Sequence, residues 1–209
     1  FLLQENKKID EYIHARRRLI ELLNERQQVI ISRVVTRGLD PNVRLKPSGI
    51  ELLGDIPENW TLQKIRSITK PVSERNRPDL PLLSVVREKG IILRTTQTPD
   101  ENKNYIPDDL SNYKVVRKND LVINKMKAWQ GSVGISDLEG IVSPAYFVYH
   151  ISTEYSGKYL HYLLRTRKYI DFMARLSKGI RPGQWDLEPH AFKQIPIPKP
   201  SLSEQKAIA

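Results

Sequence analysis

The stretch "FLLQENKKIDEYIHARRRLIELLNERQQVIISRVVTRG", residues 1–38, decides how the rest of the chain is read. It contains no glycine or proline until Gly38, and Pro41 follows, which are the stop signals of a helix ending at that point. A seam of alternating threes and fours picks out Ile9, Ile13, Arg16, Ile20, Leu23, Gln27, Ile30 and Val34. Six of the eight are apolar, and the two polar interruptions are of the kind that fixes register in a coiled coil. An ordinary amphipathic surface helix has such a stripe too. The unbroken length and the narrow seam favour a rod that needs a long partner. At ~1.5 Å per residue this rod is expected to reach about 55 Å.

The other end carries a second helix signal. In "PSLSEQKAIA" (200–209), Ser201 and Glu204 form a capping-box pattern, each side chain meeting a free amide at a helix start. Pro196, Pro198 and Pro200 hold the entry extended. "SLSEQKAIA" joined to "FLLQENKKID" makes a continuous helical sequence without a breaker, so the chain reads as one period of a cyclic pattern. The expected partner of the helix opening at Ser201 is residues 1–37. Phe1 in place of Met reads as an internal point of a longer protein.

Between the two helices the pattern changes. "RGLDPNVRLKPSGIELLGDIPENW" (37–60) has turn chemistry at Gly38, Pro41, Pro47–Gly49, Gly54 and Pro57 and reads as a connector. From Trp60 onward come short β-like runs: "LPLLSVV" (80–86), "GIILR" (90–94), "DLVINKM" (120–126) and "GIVSPAYFVYHI" (140–151). Helical spacing returns over 156–178. The expected fold class is α/β (mixed α+β), a globule with a long N-terminal coiled-coil helix. Its segments are 1–37 the long helix, 38–59 the connector, 60–200 the globule and 201–209 the start of a second helix.

Composition narrows the partners. Lys and Arg number 34 against 24 Asp and Glu, a net charge of +10. Such a surplus favours a polyanion, nucleic acid first, over a protein that is merely basic, though only slightly. The absence of cysteine excludes disulfides and thiolate zinc sites and fits a reducing compartment. No apolar run approaches the roughly 18 residues of a membrane span, and residues 1–13 lack the pattern of a signal peptide. A soluble, cytoplasmic protein is expected.

The connector sequence (37–60) resembles the conserved central region of type I restriction–modification specificity subunits. So do "DLVINKMKAWQGSVGIS" (120–136), "GIVSPAYFVY" (140–149), "LSKG" (176–179) and "IPIPKPSLSEQKAIA" (195–209), and "FLLQENKKID" is similar to the start of that family's conserved helix. The ordered succession covers almost the whole chain. The resemblance implies two target-recognition domains set apart by two conserved helices in an antiparallel coiled coil, each domain reading one half of a split DNA target. It also implies docking of adenine methyltransferase (modification) subunits and ATP-dependent restriction subunits. One recognition domain and one long helix correspond to half of such a subunit.

Equipment for catalysis is missing from the sequence. "SPAY" (143–146) is close to an adenine methyltransferase loop, but Ala145 stands where a second proline is needed and no Gly-rich cofactor turn accompanies it. It reads instead as the interior of a strand. Asp79 with Glu88–Lys89, or Asp120 with Lys125, lacks nuclease spacing, and the four histidines (14, 150, 161, 190) are scattered. No catalytic residue, metal site or cofactor is expected. For DNA, the candidates are loops joining cations, amides and aromatic rings. "NKMKAWQGS" (124–132) offers Lys125, Lys127 and Gln130 beside Trp129; its "KMKAW" stretch is similar to framework common to the family, which implies that it grips backbone. "KGIRPGQW" (178–185) offers Lys178, Arg181 and Gln184 beside Trp185 and is expected to read bases. Arg75, Arg77, Arg87, Lys89 and Arg94 form a third cluster. Self-association through Ile9, Ile13, Ile20, Leu23, Ile30 and Val34 is a further expectation. The competing reading is a coiled-coil scaffold whose basic globule binds protein or RNA.

Overall fold

The computed structural model describes residues 2–87, 89–94, 106–179 and 185–209. Helix α1 spans Leu2–Arg37, as the periodicity predicts, and stands free for most of its length. Residues 6–30 are exposed along it, whereas Val35 is 2% exposed. The helix stops at Gly38, whose φ of +79° suits glycine, with its amide donating to Val34 O (2.9 Å). A Cβ there would also lie 3.0 Å from Glu204 Oε1, so a side chain would press on that carboxylate as well as strain the backbone.

After α1 the connector is more ordered than turn chemistry suggested. Strands β1 (Leu45–Pro47) and β2 (Asp55–Pro57) pair antiparallel, and Leu53 and Ile56 are buried. Next come β3 (Thr61–Lys64), the short α2 (Ile65–Ile68) and β4 (Thr69–Pro71). A hairpin of β5 (Leu83–Val86) and β6 (Gly90–Leu93) follows, then β7 (Lys114–Val116) and β8 (Asp120–Asn124). A 3-10 turn over Ala128–Gln130 leads to β9 (Val133–Ile135), β10 (Gly140–Val142) and β11 (Tyr146–Ile151). Helices α3 (Gly157–Leu164) and α4 (Arg167–Arg175) precede the two-residue strands β12 (Ser177–Lys178) and β13 (Asp186–Leu187). The chain closes with α5 (Pro189–Phe192), β14 (Pro196–Lys199) and α6 (Leu202–Ile208).

The principal sheet has the order β4-β11-β8-β9, all antiparallel. Strand β8 lies inside it and is buried at every position, which explains its unbroken "LVI" run. The sequence expectation of one strand through 140–151 is corrected here. Pro144 has no amide to give to a ladder, and the chain turns over Ser143–Ala145, Tyr146 N donating to Ser143 O (3.0 Å), which separates β10 from β11. Tyr146 is core, 7% exposed.

The two chain ends meet in one place. Strand β3 pairs antiparallel with β14, and Tyr159 of α3 donates its hydroxyl to both Val35 O (3.1 Å) and Pro198 O (3.3 Å). Ser201 caps α6 as its sequence predicts, accepting from Glu204 N (3.2 Å). Glu204, however, accepts from the indole Nε1 of fully buried Trp60 (3.1 Å), at the foot of α1. Gln205 is fully buried and uses its whole amide: Oε1 accepts from Ser156 N (2.8 Å), and Nε2 donates to Pro200 O (3.0 Å) and Glu154 O (3.2 Å). Buried amides are tolerated only when satisfied in this way. No described helix is long and apolar enough to cross a membrane.

Candidate nucleic-acid interface

The loop after β8 is shaped by its own polar residues. Asn124 is 6% exposed, and its Oδ1 accepts from Met126 N (3.1 Å), which bends the chain out of the sheet. Ala128 is buried, and Gly131 takes φ +90°. A Cβ on Gly131 would lie 2.9 Å from Ile170 Cδ1, so the turn is pressed flat onto α4. That leaves Met126 exposed and Trp129 half-buried, its Nε1 donating to Met126 O (3.1 Å).

The second candidate loop arrives beside the first. Ring centroids of Trp129 and Trp185 are 5.0 Å apart. Leu187 N donates to Lys125 O (3.0 Å), and Lys125 Nζ pairs with Asp186 Oδ2 at 2.7 Å. Exposed pairs of this kind contribute only about 0.2–1 kcal/mol, so its value here is positional: it ties the β12–β13 ribbon to the loop. Lys178 faces Asp186 across that ribbon and is exposed. Arg181 and Gln184 lie outside the described residues.

Arg87, at the tip of the β5–β6 hairpin, joins the same group through Nη2, which donates to Gln130 Oε1 (2.9 Å). The third sequence cluster is therefore divided. Arg94 lies at the opposite end of that hairpin from Arg87, and Arg77 is held in a two-pronged pair by Asp79 (2.9 and 2.8 Å). Lys89 and Arg75 are exposed. Lys114, which the sequence reading missed, lies among these cations. Its Nζ donates to Tyr146 O (2.6 Å), and its pKa is lowered, first by burial and then by the charges of Arg75 and Lys125. Nothing in its sequence neighbourhood, SNYKVVRKND (111–120), signals this placement.

Arg165 supports the face from beneath, donating to Arg87 O and, through Nη1, to Val133 O (3.2 Å). Beside it, His161 accepts from Ile135 N at Nδ1 (3.3 Å). Burial, reinforced by Arg165 and opposed by Asp137, lowers the His161 pKa from 6.5 to about 4. With the folded value depressed, the unfolded chain takes up the proton first as pH falls. Stability is therefore complete above about pH 6.5 and is lost as pH drops toward 4. After allowance for partial exposure the expected loss is about 2 kcal/mol. Denaturant titrations at both ends of that window check it; an equal pH effect in His161→Gln counts against it.

Asp120, considered above with Lys125, has a structural use: it accepts from Arg117 N (2.8 Å) and from His150 Nδ1 (2.5 Å). Among the described residues no three His, Asp or Glu side chains are placed to hold a metal.

Compared along its length with known proteins, the chain is 25% identical over 230 aligned positions to the type I restriction enzyme MjaVIII specificity subunit of Methanocaldococcus jannaschii, covering 99% of this chain and 52% of that protein. The chain resembles a type I specificity subunit. It spans about half the length of the specificity subunit it matches. The crystal structure of the HsdS subunit from Thermoanaerobacter tengcongensis superposes with a TM-score of 0.53 over 97% of this chain and 45% of that one. At 16% identity that likeness speaks for the fold: a mixed α/β globule carrying a long helix. No family model matches the chain. With this specificity-subunit likeness, the segments 37–60, 120–149 and 195–209 acquire positions: the foot of the rod, the central strands with their loop, and the junction of the ends.

Proposed function

We propose that this chain is a non-catalytic, sequence-specific DNA-binding part of a type I restriction–modification assembly, working in the cytoplasm without a cofactor. Residues 60–200 act as a target-recognition domain for one half of a bipartite target. Residues 1–37 and 201–209 belong to the helical spacer, joined to that domain by the connector 38–59. Adenine methyltransferase and ATP-dependent restriction subunits are the partners that perform the chemistry. The observation that carries this reading is the convergence of two loops, distant in sequence, on one face. Lys125, Lys127 and Gln130 meet Lys178, the Trp129–Trp185 pair and Arg87 there. Cations supply affinity for phosphates, and amides and guanidinium groups suit base edges. Selection from a pool of random duplexes tests it. A single enriched motif is the expected result, and binding that ignores sequence overturns it.

The exposed stripe on α1 supports a second role, self-association. Ile9, Ile13, Ile20, Leu23 and Ile30 are each 39–58% exposed. The stripe runs into an apolar groove where Ile30, Val34 and Leu39 face Tyr162 and Ile208. A row of this length left in water favours a helical partner, and a second copy offers a matching one. The chain is expected to sediment as a dimer at micromolar concentration and Ile20→Glu/Leu23→Glu as a monomer; a monomeric parent chain refutes this.

A further inference from the structure

A second cationic feature lies away from the loops, in a groove between the last turns of α1 and the start of α4. Arg33 and Arg37 come from α1, Arg167 and Lys168 from α4, with Val29 and Ile170 among the apolar lining residues. Among the described residues no carboxylate lines it. Two of the cations are committed: Arg167 pairs with Asp171 (3.0 Å), and Lys168 donates to Leu53 O (2.6 Å). The guanidinium groups of Arg33 and Arg37 make no hydrogen bond or ion pair among the described residues, and both are exposed. Lys168 has its pKa lowered, by burial and then by Arg37, with Asp55 opposing. Like charges are thus gathered here, and Arg33 and Arg37 are not paired among the described residues.

The groove is continuous with the candidate interface. Ile170 is the residue on which Gly131 is pressed, next to Gln130. Arg165, which also lines the groove, reaches the carbonyl of Arg87. We propose that this groove holds the sugar-phosphate backbone of duplex DNA beyond the bases being read, with Arg33 and Arg37 each taking a phosphate. The assignment rests on the DNA-binding reading above and extends it to the foot of the rod. Residues four apart on a helix rise about 6 Å on one face, close to the ~6.8 Å that two phosphate steps of ~3.4 Å climb along one strand. The planar guanidinium fork suits phosphate oxygens, and a described lining without a carboxylate favours a uniformly anionic occupant. An acidic protein segment is the competing occupant, but the unbroken run to Arg87 and Gln130 favours the duplex.

The test is the salt dependence of binding by the full chain to a fluorescent 30-base-pair duplex of random sequence. Each phosphate contact contributes about 0.9 to the slope of log affinity against log salt. Arg33→Gln/Arg37→Gln is expected to lower that slope by nearly 2 and weaken binding at least roughly tenfold near 0.1 M salt. Lys7→Gln/Lys8→Gln removes the same charge near the far end of α1 and is expected to leave the slope alone. An unchanged slope in the arginine variant, or an equal fall in both variants, overturns the proposal. So does loss of poly-glutamate binding with the duplex slope intact, which reassigns the groove to an acidic protein. If the parent chain binds no duplex at all, the DNA-binding reading fails with it. If the parent binds and the arginine variant keeps the parent's slope, the groove assignment alone falls. All substituted side chains are exposed, and circular dichroism verifies that each variant folds.

Discussion

Trp60→Ala is expected to cost about 3–5 kcal/mol, a large share of the roughly 5–15 kcal/mol that holds a domain together. Trp60 is fully buried, and its ring lies against the position where Gly38 ends α1 (3.5 Å from a Cβ built there). Its indole nitrogen is the donor that Glu204 accepts. Truncation therefore opens a cavity and strips a half-buried carboxylate of its partner. Trp60→Phe separates the two effects, because it keeps most of the volume and loses only the donor, at about 1–3 kcal/mol. Denaturant midpoints of both variants give the measurement. Equal losses would mean that the hydrogen bond, not the ring, carries the junction, and a loss below about 1 kcal/mol for the alanine variant would refute the role altogether.

The second large effect concerns the interface. Replacing Arg87, Lys125, Lys127 and Lys178 together with glutamine is expected to weaken duplex binding on the order of 10³-fold near 0.1 M salt, with a slope flatter by up to about 3.6. Stability should hardly move, since the Lys125–Asp186 ion pair lies at the surface and contributes about 1 kcal/mol at most. Anisotropy titrations across salt concentrations measure the first quantity and thermal melts the second. Retention of the parent slope would show that these cations do not face phosphates.

Helix α1 was legible because a period of three and four persists through its sequence and nothing interrupts it before Gly38. The mixed α/β class was legible for the same reason, each period being local. What escaped was whatever depends on distant neighbours. "SPAY" looked like strand because its flanks are β-formers, yet Pro144 turns the chain there. Glu204 fits a capping box locally, but its carboxylate goes to Trp60, 144 residues away. Nothing in the sequence around Lys114 or Arg165 places them at the candidate face, and only folding brings them there. Its two loops carry suitable chemistry in sequence, but no spacing announces that Trp129 touches Trp185. Of the base-contact candidates, Arg181 and Gln184 lie outside the described residues, whereas Gln130 is committed to Arg87.

The foot of α1 is immobilised by Val35 in the core, Tyr159 on its carbonyl and Gln205 with every hydrogen-bonding group engaged nearby. Such an anchorage sets rotation as well as position. Each residue added within the exposed part of the helix would swing everything beyond it by about 100° and carry it ~1.5 Å outward. Seven added residues nearly restore the original azimuth at about 10 Å greater reach. Lengths of this rod are thus interchangeable only in steps that keep phase, and a protein gripping its distant portion would sense a one-residue change chiefly as a twist.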